Sequence, residues 1–194
     1  MIICVSGNSG VGKDTIISLL VQNGLKKYPS TTTRPRRISE VEGVDYHFIP
    51  KAHFTWLLAR GWFLDHTVIS GHHYGLPING LMNEQDIVVN LTTNSGLILK
   101  ELIPKAVLVF LRVPTKEELV SRLRNRGMTD EQIWVRLRDD PNEERAAFSF
   151  YDFVLFNNTN EQIQTTQHII QFLKEVRSGA INTEYGVAQT QRIA

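Results

Sequence analysis

Nine residues, GNSGVGKDT from Gly7 to Thr15, restrict what this chain can fold into more than any other stretch. Gly7, Gly10 and Gly12 allow the backbone to curl so that its N–H groups converge on one anion, and Lys13 adds a point charge at the same place. The spacing G-x-x-x-x-G-K is that of a phosphate-binding loop, which requires a strand leading in and a helix leading out. Both flanks qualify. MIICVS is a nearly continuous apolar run, as expected of a central parallel strand covered on both faces. From Lys13 onward, Ile16, Ile17, Leu19, Leu20 and Val21 make a helical stripe that stops at Asn23-Gly24. Residues Gly7, Asn8, Ser9, Gly10, Val11, Gly12, Lys13, Asp14 and Thr15 are therefore the candidate triphosphate-binding loop. Asp14 stands where a magnesium-binding hydroxyl residue is usual, and a carboxylate beside a polyphosphate calls for an explanation.

Further along, Pro29, Pro35, Gly43 and Pro50 punctuate residues 26–50, which carry few apolar side chains and predict short strands and turns. AHFTWLLARGWF predicts a helix that breaks at Gly61, followed by strand, turn and strand up to Tyr74. IVVNL (87–91) and AVLVFLRV (106–113) read as strands joined through the helical SGLILKEL, a second strand-helix-strand unit. Helices are expected over 115–125 and 130–147, a buried strand at FVLF (153–156) and an amphipathic helix in IQTTQHIIQFLKEVR. No repeat or low-complexity tract is present.

Charge and cysteine usage narrow the partners. The 21 Lys+Arg nearly balance the 20 Asp+Glu, so anion binding must come from local clusters, and neither a nucleic-acid nor a membrane partner is expected. The lone Cys4 lies in the run IICV and reads as a buried, inert thiol suited to a reducing compartment. With no charged leader and no long apolar run, a cytoplasmic location is expected, as a monomer or a homodimer.

The segment STTTRPRRISEVEGVDYHFI places Arg34, Arg36 and Arg37 beside four hydroxyl side chains, with Tyr46 downstream. It resembles the substrate lobe of guanylate kinases, S-x-T-T-R-x-P-R-x-x-E-x-x-G-x-D-Y-x-F. Ser30, Thr32, Thr33, Arg34, Arg37, Glu40, Gly43, Asp45, Tyr46 and Phe48 fall in register, and the proline is displaced to Pro35. GHHYG is similar to that family's G-x-Y-Y-G, and EELVSRLRNRG with WVRL to its lid, so the likeness runs over roughly residues 1–177. The resemblance implies a three-layer α/β P-loop kinase fold with a parallel sheet. Its core is 1–28, 78–114 and 148–177, its inserted acceptor-binding lobe 29–77 and its helical lid 115–147, with a polar tail at 178–194. It also implies ATP with Mg2+ as donor and a nucleoside monophosphate as acceptor. Arg34, Arg37, Tyr46 and Tyr74 would hold the acceptor phosphate, Ser30 and Asp65 the guanine edge, with Asp65 replacing the usual glutamate. Lys13, Arg126 and Arg136 would act on the transferring group with Arg122 nearby, and Asn157 would lie by the donor nucleotide. Since the acceptor oxygen is already anionic, arginines without a catalytic histidine are the expected inventory. His72 and His73 are read as lobe structure.

Family members usually carry an acidic residue where this chain has Asn90, which is grouped here with the acceptor-side residues. One reading relocates the metal-side carboxylate to Asp14 and leaves Asn90 neutral, so that two carboxylates do not crowd the phosphates. The other has Asp14 cap the helix while Thr15 supplies a hydroxyl to the metal. Leu76 replaces the hydroxyl residue usual two places after Tyr74. The G-K-D loop with V-V-N also resembles ribose 1,5-bisphosphate phosphokinases, which lack the second arginine and the G-x-D-Y segment. Expected acceptors are GMP and dGMP, with the sugar bisphosphate and a non-catalytic binding module as alternatives.

Overall fold

The computed structural model describes residues 1–69, 71–81, 86–137 and 140–183. In chain order the first elements are β1 (Ile2–Gly7), α1 (Lys13–Gln22), β2 (Lys26–Lys27), β3 (Ser30–Thr32), β4 (Tyr46–Phe48), α2 (Lys51–Leu58), β5 (Phe63–Ile69) and β6 (His72–Pro77). After them come β7 (Ile87–Asn90), α3 (Thr93–Leu102), β8 (Val107–Arg112), α4 (Lys116–Asn125), α5 (Asp130–Leu137), α6 (Asp140–Phe150), β9 (Phe153–Phe156) and α7 (Gln162–Arg177).

Six consecutive buried residues make β1 the centre of a five-stranded sheet ordered β2-β7-β1-β8-β9, in which every pair is parallel. Alternate residues of each strand face opposite sides, and the two sides have separate cores. Ile3, Val5, Val88, Val107, Val109, Leu111 and Leu155 pack with Ile16 and Leu20 of α1 and Ile169 and Phe172 of α7. Ile2, Cys4, Ile87, Val89, Leu108, Phe110 and Val154 pack with Leu99 of α3, Ala147 of α6 and Tyr151 just after it. This is the expected three-layer α/β arrangement. Burial raises the Cys4 thiol pKa to about 12, so it is an inert core residue.

A second sheet, ordered β4-β3-β6-β5, is built from residues 30–77. Its β3–β4 pair is parallel and its other two pairs are antiparallel. One face carries Ser30, Tyr46 and Tyr74. The other carries His66, His73 and Gly75, and there Phe54 of α2 stacks on Phe63 with ring centroids 4.5 Å apart. A side chain at Gly75 would lie 2.7 Å from Phe63, so the aromatic stack needs that position empty.

Two local expectations are corrected. The stretch 130–147 forms two helices, α5 and α6; Pro141, second in α6, suits a first helical turn and opposes continuation of a preceding one. Val21 does not join the buried stripe of α1 and is 38% exposed, because the stripe over α7 is already filled by Ile16, Ile17 and Leu20. The start of the tail folds back, with the N–H groups of Ala180 and Ile181 donating to the Glu175 carbonyl, and positions 184–194 lie outside the described residues. No helix among the described residues is long and apolar enough to cross a membrane.

Between α3 and β9 lies a buried ion pair. Asp152, 1% exposed, accepts from Lys100 Nζ at 3.0 Å and from the Leu108 N–H at 2.7 Å. Burial pushes its carboxyl pKa upward, and those two donors oppose the shift. Lys100→Met should therefore remove about 3–5 kcal/mol of stability in urea unfolding near neutral pH, by stranding a buried charge. A carboxyl whose folded pKa is raised binds its proton before the unfolded chain does, so acidification favours the folded state. The loss should accordingly shrink toward roughly pH 5; a loss that grows on acidification would mean that Asp152 is not the group responsible.

Candidate active site

Side-chain donors hold three carbonyls of the loop between β1 and α1. Lys13 Nζ donates to the carbonyls of Gly7 at 2.5 Å and Asn8 at 3.1 Å. The Val11 carbonyl accepts from Asn157 Nδ2 at 2.7 Å and from Arg122 Nη1 at 3.1 Å. Gly12, with φ +97°, occupies the left-handed region that glycine favours, and a Cβ there would sit 2.7 Å from Asn157 Nδ2. Asn8 and Val11 are buried; the Asn8 amide donates to Glu144 of α6 at 3.4 Å.

A single cleft of about 590 Å³ joins this loop to the polar face of the small sheet. Gly7, Ser9, Gly10, Gly12, Lys13 and Asp14 line one side; Ser30, Arg34, Arg37, Tyr46, Asp65 and Tyr74 line the other. Asn90, Arg126 and Leu76 also line it. Strand alternation brings these side chains together: Ser30 pairs with Tyr46 and Thr32 with Tyr74, so hydroxyl and phenol groups share one surface. Tyr46 lies edge-on to Tyr74 at 6.0 Å, and the Arg34 guanidinium sits 5.6 Å from the Tyr46 ring centroid.

Glu40 organises the basic segment. It makes a two-pronged ion pair with Arg34 at 2.7 and 3.0 Å, accepts the Arg37 N–H at 2.8 Å, and its carbonyl accepts from Arg36 at 2.6 Å. The Arg34 guanidinium beside it holds the Glu40 carboxyl below the usual carboxylate range. Asp45 of the G-x-D-Y segment takes Lys27 Nζ at 2.7 Å and the Val41 N–H at 2.8 Å, tying the segment to β2. Thr32 and Thr33 serve the same pinning purpose through the His73 backbone.

Asp14 is joined to the residue that the sequence comparison singled out. Asn90 Nδ2 at the end of β7 donates to Asp14 Oδ1 at 3.1 Å. Gly12, not Asp14, occupies the N-cap of α1, which has no side-chain cap bond; Asp14 lies in the first turn, where a negative charge suits the helix dipole. The capping reading is thereby replaced. Burial raises the Tyr46 phenol pKa to about 12, with the Asp14 carboxylate adding to the effect across the cleft.

Five expected site residues do not line the cleft: Asn8 and Val11, buried within the loop, and Arg122, Asn157 and Thr15. Arg122 does not line the cleft: its guanidinium is shared among the carbonyls of Val11 and Asn157, Glu118 at 2.6 Å and Thr159 at 3.1 Å, behind the loop. Asn157 is likewise buried behind the loop, and Thr15 is exposed and outside the cleft. The Arg136 side chain lies outside the described residues. Sequence reasoning missed Ser95 and Thr92, which line the cleft from the first turn of α3, and Glu144 behind the loop. The helix-start pattern T-x-x-S was the available signal for the first two. It also assigned nothing to His66, whose Nε2 lies 2.8 Å from His73 Nδ1 on the α2 side of the small sheet.

The guanylate kinase family model matches residues 1–175. Guanylate kinase of Alkalilimnicola ehrlichii is 32% identical over 160 residues, covering 79% of each chain. That of Neisseria gonorrhoeae is 30% identical over 184 residues, covering 91% of this chain and 90% of its own. Among solved structures, the crystal structure of guanylate kinase from Anaplasma phagocytophilum superposes with a TM-score of 0.73 at 25% identity, over 91% of this chain and 85% of that one. The sugar-phosphate and binding-module alternatives are not favoured by these likenesses.

Gly12→Ala should disable the loop. The new methyl group must displace Asn157 and releases the Val11 carbonyl, at a local strain of about 1–3 kcal/mol. Titration calorimetry should show ATP affinity falling at least about tenfold. Undiminished affinity would show that the loop backbone does not grip the phosphates.

Proposed function

Because the chain belongs to the guanylate kinase family, we propose how its residues divide the work of phosphorylating GMP with ATP. The observation that carries the assignment is the single cleft lined both by Lys13 and the glycine loop and by Ser30, Arg34, Arg37, Tyr46 and Tyr74. One wall suits a triphosphate and the other an anionic acceptor. In-line transfer between them is mostly positioning and neutralisation, because the acceptor phosphate needs no base.

In this reading, Lys13 and the loop N–H groups hold the donor phosphates. Arg37, Tyr46 and Tyr74 grip the acceptor phosphate together with Arg34, whose guanidinium is held in place by Glu40. Ser30 and Asp65 address the base edge. Arg126, at the end of α4, and Arg136 on α5 neutralise the transferring group when the 115–147 lid closes and excludes water. Arg122 and Asn157 are positioning residues that hold the Val11 carbonyl outward.

The residues present fit a magnesium ion. Asp14 is an exposed carboxylate lining the cleft beside the loop, and its Asn90 partner is neutral. One carboxylate with phosphate oxygens and water is an ordinary magnesium donor set. Asp14 would hold the ion, directly or through water, and the ion would supply charge neutralisation at the β- and γ-phosphates. Thr15, exposed and away from the cleft, is the weaker candidate. The cytoplasm is the compartment this activity and the buried thiol imply.

A coupled ADP-release assay with GMP, dGMP, AMP, UMP and ribose 1,5-bisphosphate tests the acceptor, and turnover with the sugar alone would overturn the assignment. Lys13→Ala and Arg126→Ala should each lower kcat at least about 100-fold. Arg37→Ala should instead raise the KM for GMP about tenfold or more, and an unmoved KM would remove that residue from the acceptor site. Asp14→Asn should raise the magnesium concentration for half-maximal rate by about tenfold. If that demand stays where it was, the relocated carboxylate has no part in holding the ion.

A further inference from the structure

We propose that Ser95 is a specificity-positioning residue whose hydroxyl, oriented by Thr92, fixes the Asp65 carboxylate for the two N–H donors of a guanine edge. This rests on the assignment of Asp65 to the base edge given above. Asp65 belongs to β5 in the small sheet, whereas Ser95 and Thr92 belong to the start of α3, against the large sheet. All three line the cleft.

The direction of the hydrogen bonds follows from chemistry. Ser95 Oγ donates to Asp65 Oδ2, since an ionised carboxylate can only accept. Ser95 has a single hydroxyl proton, so at the 2.8 Å contact between the two hydroxyls Thr92 Oγ1 must be the donor. Thr92 Oγ1 in turn accepts the Ser95 N–H at 3.3 Å, the capping bond of α3. Each proton therefore has one place to go, and Ser95 is 2% exposed, so water does not compete for it.

The relay matters because an aspartate carboxylate turns easily about its terminal torsion. A guanine base offers two adjacent donors, N1–H and the 2-amino group, spaced for the two oxygens of one carboxylate held in the base plane. Ser95 occupies one of about four acceptor sites on Asp65 and so sets that plane while leaving acceptors for the ligand. Aspartate is one methylene shorter than the glutamate of the family pattern. Its carboxylate stays near β5, where α3 can reach it. Hypoxanthine lacks the 2-amino group and gains less from a fixed plane.

The test is steady-state kinetics at saturating ATP with GMP and with inosine 5′-monophosphate, on the unaltered protein, Ser95→Ala, Asp65→Asn and the double variant. Ser95→Ala should raise the KM for GMP about five- to tenfold, with kcat within about twofold and a smaller change for inosine monophosphate. Asp65→Asn should raise the GMP KM further, and adding Ser95→Ala to it should change nothing more. Ser95→Cys, which keeps the side-chain connectivity but donates weakly, should behave as Ser95→Ala and replaces it if the alanine variant does not fold. If Asp65→Asn leaves the GMP KM unmoved, the base-edge assignment falls and this proposal with it. If Asp65→Asn raises the KM while Ser95→Ala does not, or if Ser95→Ala affects both nucleotides alike and additively, only the Ser95 proposal falls.

Discussion

The outward-held carbonyl of Val11 is the contact on which the rest of the site depends. A phosphate cradle works only if consecutive amides point the same way, and the carbonyls displaced by that curl must find donors behind it. Asn157 reaches that carbonyl from the end of β9 and Arg122 from α4, while Lys13 secures Gly7 and Asn8. The loop is thus tied to β9, to α4 and, through Asn8 and Glu144, to α6. Arg122 is therefore more useful behind the loop than in the cleft: its charge is already compensated by Glu118, and its rigid fork spans several acceptors at once.

The second wall obeys a different constraint, the two-residue period of a sheet. One face of the small sheet presents Ser30, Tyr46 and Tyr74 to the cleft; the other presents His66 of β5 with His73 and an empty Gly75 of β6 to the aromatic pair Phe54 and Phe63. A register slip of one residue would exchange these faces and bury the phenols. This wall of the cleft is consequently as firm as the packing of α2 beneath it. Glu40 then converts three neighbouring arginines, which would repel one another, into an ordered basic edge by pairing with Arg34 and capping the Arg37 amide.

Negative charge is treated with equal economy. Asp14 faces a neutral Asn90 rather than a second carboxylate, so the loop carries one acid without a like charge opposite it. Asp65 is held by Ser95, and Asp45 by Lys27. Each of these carboxylates has a fixed partner, which restricts where a ligand can bond to it.

Much of this was legible in the chain of letters. The glycine spacing with its flanking apolar runs determined the strand, loop and helix around Lys13, since no other backbone path satisfies those periodicities. The nearly continuous apolar runs IVVN, VLVFLR and FVLF determined a sheet covered on both faces. The break of one expected helix into α5 and α6 was also visible, in Pro141, but was outweighed by the apolar period around it. Tertiary structure alone decided that Arg122 lies behind the loop, that Asn90 meets Asp14 across 76 positions, and that Ser95 reaches Asp65 from another layer. Periodicity reports which face of its own element a residue occupies; which partner stands opposite depends on how separate elements pack, and no local pattern carries that information.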